Sequence, residues 1–387
     1  MKNLSASMTC IAATCLMLVA VSCATDKRDA HMSPTLKDAY KKLFLIGVAV
    51  NQRQFTEQDT NGAALIKAQF NSITPEDALK WASIHPQPGT NGYNFEAADR
   101  YVEFGKKNHM YVIGHTLVWH SQTPRWVFQG DGTNALDRET LLRRMRDHIH
   151  TVVGRYKGRI KGWDVVNEAL SESGALRQSP WLRIIGEDYI AKAFEYAHEA
   201  DPDAELHYND YSLENEPKRN GAIALIKKLK AQGIKITAVG LQHHDKMDWP
   251  NAAQMEATIE AFAKLGVKVM ITELDVDAVS ARGQNRSADI ADVQRQTTPN
   301  VYTNGLPDSV QQALAQRYGE IFAVFVKHHA AIHRVTLWGL TDADSWLARG
   351  RRNYPLLFDR NWQPKPAFDA VIKAAHRADD HTTTEHQ

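Results

Sequence analysis

Cysteine is scarce in this sequence, and all of it lies at one end. The 387 residues include three cysteines, Cys10, Cys15 and Cys23, in or beside the apolar run MTCIAATCLMLVAVSCA. This run follows Lys2 and is too short and too early for a transmembrane helix, so residues 1–23 are predicted to be a secretory signal peptide. The rest of the chain then has no disulfide, and its stability must come from burial of an apolar core.

The end of this leader permits two interpretations of its processing. The motif AVSC resembles a bacterial lipobox, in which Cys23 would become a lipidated first residue, although Ala20 stands where a larger aliphatic residue is usual. The alternative is cleavage near residue 24 and release of a soluble protein. Both interpretations predict a protein that a bacterium exports, whether it is secreted, periplasmic or anchored to the outer membrane as a lipoprotein.

A strong charge of either sign is also missing. Lys and Arg together number 46, Asp and Glu number 45, and the formal net charge is +1. Nucleic-acid binding normally needs a basic stripe, so the composition disfavours it. The arginine-rich stretches RRMRDH and RGRR are interpreted as solvated surface, with contact between RGRR and acidic groups of a ligand as the alternative.

The sequence has no Ser/Thr/Pro-rich linker, internal repeat or low-complexity segment that would divide it into domains. Polar residues 24–36 are predicted to be a linker and residues 379–387 a flexible tail, which leaves a single domain over residues 37–378. Eight short apolar segments rich in strand-forming residues recur within it, at 43–50, 68–74, 110–119, 159–168, 205–211, 236–244, 267–276 and 334–340. Amphipathic helical patterns lie between them, as at 137–156, 181–200 and 253–266.

Alternating strands and helices predict a parallel sheet, because each helical crossover returns the chain to the same edge. Eight such units are what closure into a ring requires, so the predicted fold is an α/β protein with a (β/α)₈ TIM barrel. An open doubly wound sheet is the alternative, but no glycine-rich nucleotide loop follows the first strand. Trp126, Trp163 and Trp181 are expected in the core.

Polar and aromatic side chains stand where the predicted strands end, and TIM barrels build their active sites from these positions. They are Glu76, Asp77, Lys80 and Trp81 after the second strand, then His115, Trp119, His120, Asn167, Glu168, Asn209, Tyr211, Gln242, His243, His244, Glu273, Asp275, Trp338 and Trp346 after the later ones. Amides can bind hydroxyl groups, and tryptophan rings can stack on the flat C–H faces of sugars. Together with two glutamates, these residue types suggest a site for a sugar polymer.

The two glutamates offer a reaction for such a site. Glu168 and Glu273 end the fourth and seventh predicted strands, so both lie at the mouth of the barrel. Hydrolysis of a glycosidic bond needs two carboxyl groups, one protonated to donate to the leaving oxygen and one ionised to attack or stabilise the sugar carbon. The sequence alone therefore favours a glycosidase.

Seven motifs of the sequence resemble those of glycoside hydrolase family 10, the (β/α)₈ xylanases. They occur in the family's order over about residues 40–372, as TPEDALKW, GHTLVWHSQTPRW, WDVVNEAL, YNDY, GLQHH, ITELDV and LWGLTDADSW. The resemblance implies an endo-1,4-β-xylanase with a retaining mechanism and no cofactor or metal. It further implies that the chain binds xylan and xylo-oligosaccharides, has no protein partner and is a monomer.

The resemblance also implies roles for individual residues. Glu168 matches the acid/base and Glu273 the nucleophile, while Asn167 matches the amide that holds the 2-OH of the reacting sugar. The remaining assignments follow from the same motifs: Lys80, His115, Trp119 and Gln242 at the −1 subsite; His244 on the nucleophile, oriented by Asp275; Trp338 and Trp346 as the aromatic cover; Glu76 and Asp77 at the −2 subsite; Tyr211 in substrate binding; and His120 in support.

Three departures from the family pattern bear on these roles. Asp77 replaces a usual asparagine and cannot donate an amide hydrogen, which weakens the expected −2 contact. His243 stands where serine is common, and a longer loop that often follows SWLA is absent.

Three alternatives remain beside the xylanase. One is a β-1,4- or mixed-linkage glucanase, although Lys80 and Trp346 argue against room for a hydroxymethyl group. Another is a non-catalytic carbohydrate-binding protein, which would not need both glutamates. The third is a structural lipoprotein of the cell envelope, which would not need tryptophans at its strand ends. A metal cluster at His243, His244 and Asp245 is disfavoured, because adjacent residues do not converge on one ion.

Overall fold

Parallel strands form a closed barrel in the computed structural model, which describes Met1 and residues 34–130, 135–279, 288–289, 301–348 and 352–384. The strands are β1 (Leu45–Val50), β2 (Ser72–Pro75), β3 (Tyr111–Trp119), β4 (Gly162–Asn167), β5 (Glu205–Asp210), β6 (Ala238–Leu241), β7 (His244–Lys246), β8 (Lys268–Asp277) and β9 (Ile332–Leu337). Among the described residues they follow the order β6–β5–β4–β3–β2–β1–β9–β8–β7, and pairing of β6 with β8 closes the ring. The predicted (β/α)₈ barrel is confirmed.

Helices surround the strands. They are α1 (Leu36–Ala39), α2 (Gln52–Phe55), α3 (Thr60–Gln69), α4 (Trp81–Ile84), α5 (Glu96–Lys107), α6 (Arg138–Arg155), α7 (Pro180–Ile185), α8 (Tyr189–Ala200), α9 (Glu216–Ala231), α10 (Ala252–Ala263), α11 (Asp308–Lys327) and α12 (Pro366–Thr384). Short 3₁₀ turns occur at Thr90–Gly92, Arg125–Phe128 and Trp346–Ala348. The unit that contains all of these elements begins at Pro34.

The apolar residues of the strands and of the inner helix faces form a continuous core. Trp163 and Trp181 are fully buried in it, and Trp126 packs against it, as the sequence predicted. Tight packing leaves no room for a side chain at Gly114, where a Cβ atom would lie 2.1 Å from the ring of Trp163. Of the helices that the structure describes, none is both long and apolar enough to cross a membrane.

Two predicted elements are interrupted. The helix expected at 181–200 is divided into α7 and α8 at Gly186, whose φ of 103° is a left-handed value that glycine adopts readily. Arg138 fixes this break from α6 by donating to both carboxylate oxygens of Asp188, at 2.9 and 2.7 Å. The strand expected at 236–244 stops at Leu241, and the chain resumes pairing in β7, beside β8.

The two ends of the chain differ in what can be compared with the sequence. Helix α12 extends to Thr384, into the segment that the sequence predicted to be a tail. The predicted leader, apart from Met1, lies outside the described residues, as do residues 349–351 of the RGRR stretch. The leader and its cleavage therefore stay predictions.

Candidate active site

A cleft of about 680 Å³ opens at the C-terminal mouth of the barrel. It is lined by Glu76, Asp77, Lys80, His115, Trp119, Gln122, Asn167, Glu168, Gln242, His244, Glu273, Ala288, Trp338, Asp344 and Trp346. The barrel thus brings together both glutamates and most residues predicted for substrate binding. Gln122 and Asp344 line the cleft as well, although the sequence analysis did not assign them to it.

Glu168 follows the last residue of β4 and lies in a largely buried pocket of hydrogen-bond donors. Its Oε2 accepts from Nε1 of Trp119 at 2.9 Å, and its Oε1 accepts from Nε2 of Gln242 at 3.1 Å and Nδ2 of Asn167 at 3.2 Å. Burial raises the pKa of Glu168, and the negative charge of Glu273 raises it further, although the Gln242 and Trp119 hydrogen bonds act in the opposite direction. This environment favours the protonated form that a general acid needs.

Glu273, within β8, is held by two donors, one from β5 and one from β7. Its Oε1 accepts from Nδ2 of Asn209 at 2.7 Å, and its Oε2 lies 3.2 Å from Nε2 of His244. Asn209 also donates to Oδ1 of Asn167 at 2.8 Å, so one amide connects the two carboxyl groups through Asn167.

His244 is held between two carboxylates. Its Nδ1 lies 3.0 Å from Oδ1 of Asp275, whose Oδ2 accepts from Nε1 of Trp346 at 2.7 Å. Burial alone would lower the pKa of His244, but Asp275 and Glu273 raise it to about 10. The ring is therefore an imidazolium at neutral pH, and it donates to Glu273 and Asp275 at once. His244 thus contacts Glu273 and Asp275, the two residues beside which the sequence analysis placed it.

The floor of the cleft is supported by ionic groups inside the barrel. Nδ1 of His115 lies 3.0 Å from Oδ2 of Asp164, and Nδ1 of His207 lies 3.2 Å from the other oxygen. Burial would raise the pKa of Asp164, but these two histidines hold it well below its usual range. Because an ionised carboxylate only accepts, Nδ1 of His115 carries the proton. At the edge of the floor, Nζ of Lys80 lies 3.1 Å from Oδ1 of Asp77.

Two predicted site residues lie away from the cleft lining. Tyr211 is 2% exposed, its hydroxyl accepts from Arg177 at 2.8 Å, and Nζ of Lys218 lies 3.3 Å from the centre of its ring. The structure therefore does not support a direct contact of Tyr211 with substrate. His120 meets Trp119 edge-on at 6.0 Å, and its Nε2 lies 4.0 Å from Oδ2 of Asp289, so it adjoins the cleft without lining it.

The structure does not support a metal cluster at His243, His244 and Asp245, because the two histidines contact different partners. His243 lies within ion-pair distance of Glu214, at 3.2 Å, and of Asp245, at 3.1 Å, whereas His244 lies between Glu273 and Asp275. Consecutive residues thus belong to separate networks. Across the part of the chain that the structure describes, no group of three or more His, Cys, Asp or Glu is arranged to hold a metal.

Sequence reasoning assigned no role to Asn209, although it ends a predicted strand within YNDY. Its contact with Glu273 depends on β5 lying between β4 and β6 in the closed ring, which the sequence predicts only as topology. Gln122 and Asp344 lie in loops, where no strand-end rule identifies them. The signal for Gln122 was its position in HSQ, next to the predicted Trp119 and His120.

Two carboxyl groups in one cleft with tryptophan walls, at the mouth of a TIM barrel, are the arrangement of a glycosidase. Comparison with known proteins narrows this class, because the chain matches glycosyl hydrolase family 10 over residues 35–374. The chain belongs to glycosyl hydrolase family 10.

Relatives with names and solved structures support the same assignment. Endo-1,4-beta-xylanase A of Xylanibacter ruminicola is 44% identical over 349 residues, which cover 89% of this chain and 94% of that one. A beta-1,4-xylanase of Dictyoglomus thermophilum is 43% identical, with 88% and 91% covered. A solved family 10 endoxylanase from a sugarcane soil metagenome is 45% identical, with a TM-score of 0.82 and coverage of 88% and 99%.

Proposed function

We propose that this protein hydrolyses internal β-1,4-xylosidic bonds of xylan by a retaining double displacement. The observation that carries the proposal is the unequal environment of the two glutamates. Glu168 is buried, which favours its protonated form, whereas Glu273 accepts from Asn209 and from the imidazolium of His244. One carboxyl group is thus prepared to give a proton and the other to attack.

The proposed reaction has two steps. In the first, the Glu168 carboxyl group protonates the glycosidic oxygen, the bond from that oxygen to the anomeric carbon breaks, and Glu273 forms an ester with the carbon. In the second, the Glu168 carboxylate takes a proton from water, the water oxygen bonds to the anomeric carbon, and Glu273 leaves. Two inversions give retention.

We infer that xylan is the preferred substrate for two reasons. Similar proteins are named xylanases, and the residues that line the cleft favour a sugar without a hydroxymethyl group. Lys80 and Trp346 line the cleft, and we infer that they leave no room for the hydroxymethyl group of a glucan. We expect release of reducing sugar from xylan to exceed that from barley glucan, and the reverse ranking would favour the glucanase. Activity unchanged by EDTA is expected, because the protein's own carboxyl and imidazole groups supply the proton transfer and charge stabilisation.

The decisive experiment assigns the two glutamates by product stereochemistry, with an aryl β-xylobioside whose phenol leaves without protonation. Glu168→Ala should still form the glycosyl-enzyme, and azide should then release a β-azide, because a small anion needs no general base. Glu273→Ala should lose turnover, and any product that azide restores should be the α-azide from a single inversion. A β-azide from Glu273→Ala and an α-azide from Glu168→Ala would reverse the two roles.

We also propose that residues 1–23 direct export and that the enzyme acts as a monomer outside the cytoplasm. The apolar leader ending in AVSC supports export. Mass spectrometry of the mature N-terminus after expression in a bacterial host tests the proposal. A diacylglyceryl group on Cys23 would establish the lipoprotein form, an unmodified N-terminus near residue 24 the secreted form, and an intact Met1 would contradict export.

A further inference from the structure

A cavity of about 1060 Å³ lies at the end of the barrel opposite the catalytic cleft. Its lining includes the first residues of five strands, which are Leu45 of β1, Tyr111 of β3, Glu205 of β5, Lys268 of β8 and Ile332 of β9. The strands are parallel, so their first residues lie at the face away from Glu168, which follows the last residue of β4. The cavity is therefore separate from the site of the proposed reaction.

Arg334, the third residue of β9, places a buried cation in this cavity. It lines the cavity and is 2% exposed. Nε and Nη1 of its guanidinium group are buried and have no hydrogen-bond partner among the described residues. Buried N–H groups are almost always paired, because a donor without an acceptor has lost its hydrogen bonds to water without replacement. Arg334 therefore lacks an acceptor that a bound molecule could supply.

The guanidinium group keeps its charge in this position. Burial lowers the pKa of Arg334, and the nearby carboxylate of Asp164 acts in the opposite direction. An arginine side chain is not deprotonated in proteins near neutral pH, because its ordinary pKa lies above about 12. An anion would supply both the missing acceptor and a compensating charge.

The two carboxylates closest in effect to Arg334 are bound to other groups. Asp164 lies at hydrogen-bond distance from the two histidines described above. Oε1 of Glu205 accepts from Nζ of Lys268, and its Oε2 accepts from the hydroxyl of Tyr111 at 3.0 Å. Neither carboxylate forms a hydrogen bond with Nε or Nη1 of Arg334. The protein's own acids thus leave these donors available.

Positive charge exceeds negative charge around the cavity. Among the described residues that line it, one is acidic, Glu205, and four are cationic, Lys41, Lys42, Lys268 and Arg334. The cations remain in excess even when the nearby carboxylate behind the pKa of Arg334 is included. Because the formal charge of the whole chain is only +1, this excess is a local feature, and it favours the entry of anions.

We propose that this cavity is a binding site for a small oxyanion, whose oxygens accept hydrogen bonds from the guanidinium group of Arg334 in the positive field of the lining lysines. Guanidinium groups bind carboxylates and phosphates through such charge-assisted hydrogen bonds. The site does not depend on the proposed hydrolysis. Two sources share this chemistry, free inorganic phosphate and the carboxylate of a uronic acid such as a branched xylan carries.

The test is isothermal titration calorimetry of the wild-type protein with sodium phosphate, with sodium chloride used to keep the ionic strength constant. Titrations at two temperatures ensure that a binding enthalpy near zero at one of them does not hide the binding. We expect one phosphate to bind per chain. Arg334→Met should weaken the binding by at least about tenfold, the loss expected for a hydrogen bond between charged groups. Arg334→Lys keeps the charge and should restore part of the affinity.

Because Arg334 is buried, far-UV circular dichroism must show that Arg334→Met is folded, and the exposed residue Lys42 provides a second variant that leaves the buried groups in place. Lys42→Gln should weaken phosphate binding roughly twofold, because it removes one solvent-exposed charge at the cavity. The matched control is Lys227→Gln, an exposed position on α9 outside the cavity lining, which should keep the wild-type affinity.

A parallel titration with sodium glucuronate identifies the source of the anion. Tighter binding of phosphate would assign the site to an inorganic anion, and tighter binding of glucuronate would assign it to a uronic acid, with the affinity lost in Arg334→Met in both cases. No binding of either probe to the wild type would overturn the site and leave water as the partner of Arg334. Equal affinities of the wild type and a folded Arg334→Met, or equal losses in Lys42→Gln and Lys227→Gln, would overturn it as well.

Discussion

Glu168 and Glu273 have the same side chain, and their neighbours give them different chemistry. The donors around Glu168 are neutral, from one indole and two amides, and they compensate only part of the cost of burying a charge. The donors around Glu273 include an imidazolium with its own buried counter-ion, Asp275. The different roles that we propose for the two carboxyl groups therefore rest on the residues that contact each of them.

Gln242 should help to set the pH at which Glu168, the proposed general acid, loses its proton. Its Nε2 donates to Oε1 of Glu168 at 3.1 Å and favours the carboxylate, which lowers the pKa of that group. Gln242→Met removes the donor, so the pKa of Glu168 should rise and the alkaline limb of kcat/KM should move to higher pH. Trp338→Phe, a cleft variant without a bond to Glu168, should change the rate and leave that limb in place.

A shift of the same limb to lower pH in Gln242→Met would contradict this assignment. It would mean that the limb reports a different group, because loss of a donor cannot make the Glu168 carboxylate easier to form.

Asp77 should limit the affinity for short substrates. It is bound to Lys80 at 3.1 Å and cannot donate to a sugar hydroxyl while ionised. Asp77→Asn supplies a donor and releases Lys80, so KM for xylo-oligomers should fall severalfold with little change in kcat. Asp77→Ala removes the side chain without supplying a donor and serves as the control, with a higher KM expected. A KM that is unchanged or higher in Asp77→Asn would show that the carboxylate binds the sugar through another partner.

The sequence predicted the cleft residues at strand ends far better than those in loops. Glu168, Asn167, His244 and Glu273 follow or lie within strands, whose ends meet at one mouth in any TIM barrel. Asp344 lies in a loop after β9, and its position depends on Asn51, almost three hundred positions earlier in the chain, at a distance of 3.2 Å. Such contacts between distant segments leave no periodic signal in the sequence.

At the scale of elements, a buried lysine holds together the segment that carries Trp346. Nζ of Lys365 donates to both oxygens of Asp342, at 3.2 and 3.0 Å, and to the carbonyls of Tyr354 at 2.8 Å and Leu356 at 2.7 Å. Burial raises the pKa of Asp342 to about 6, although Lys365 acts in the opposite direction. One ammonium group therefore joins the loop after β9 to the start of α12.

Loss of this ammonium group should be costly. Lys365→Met leaves a buried carboxylate and two carbonyls without their donor, so the free energy of unfolding at pH 7 should fall by about 3–5 kcal/mol. Chemical denaturation measures the change. Lys373→Met, an exposed position on the same helix, should change it by less than about 0.5 kcal/mol.

The double variant Lys365→Met with Asp342→Leu tests the reason for the loss. Because it removes the unpaired charge, it should recover part of the stability. Equal stability of Lys365→Met and the wild type would show that other groups or water satisfy Asp342.

Helices and strands could be predicted from the sequence where the spacing of their apolar residues is a local pattern. The alternation of apolar strands with amphipathic helices identified every barrel strand to within a few residues. The break between α7 and α8 was not predicted, because the apolar spacing continues across Gly186 and the contact that fixes the break comes from Arg138 on α6. The gap between β6 and β7 likewise serves the site, since it places Gln242 and His244 on the two glutamates.

At the scale of the whole molecule, a stack of rings buries a histidine without a hydrogen-bonding partner. The ring centres of His148, on α6, and Trp81 lie 3.7 Å apart, with 4° between the planes. Beside this pair, the rings of His85 and Tyr93 stack on each other with their centres 3.6 Å apart. Both nitrogens of His148 are buried and neither has a partner among the described residues. Burial lowers the pKa of His148 well below 6.5, and the nearby His85 adds to the effect.

This histidine should make the fold sensitive to mild acid. As the pH falls below 6.5, the unfolded chain binds a proton at His148 and the folded chain does not. Stability due to this group is therefore complete above pH 6.5 and decreases below it, by up to about 1.4 kcal/mol for each pH unit. Groups with raised pKa values, such as Asp342, act in the opposite direction between pH 6 and 4, so the net profile of the wild type does not isolate His148.

A comparison of variants does isolate it. His148→Phe keeps a flat ring in the stack and cannot bind a proton, so its free energy of unfolding relative to the wild type should be constant above pH 7. Between pH 6.5 and 5 the relative stability of the variant should increase by about 2 kcal/mol, measured by urea denaturation at each pH. Val152→Ala, on the buried face of the same helix, should reduce stability by the same amount at every pH. A difference between His148→Phe and the wild type that does not change with pH would mean that the folded protein also protonates His148, and that the ring stack admits a charge.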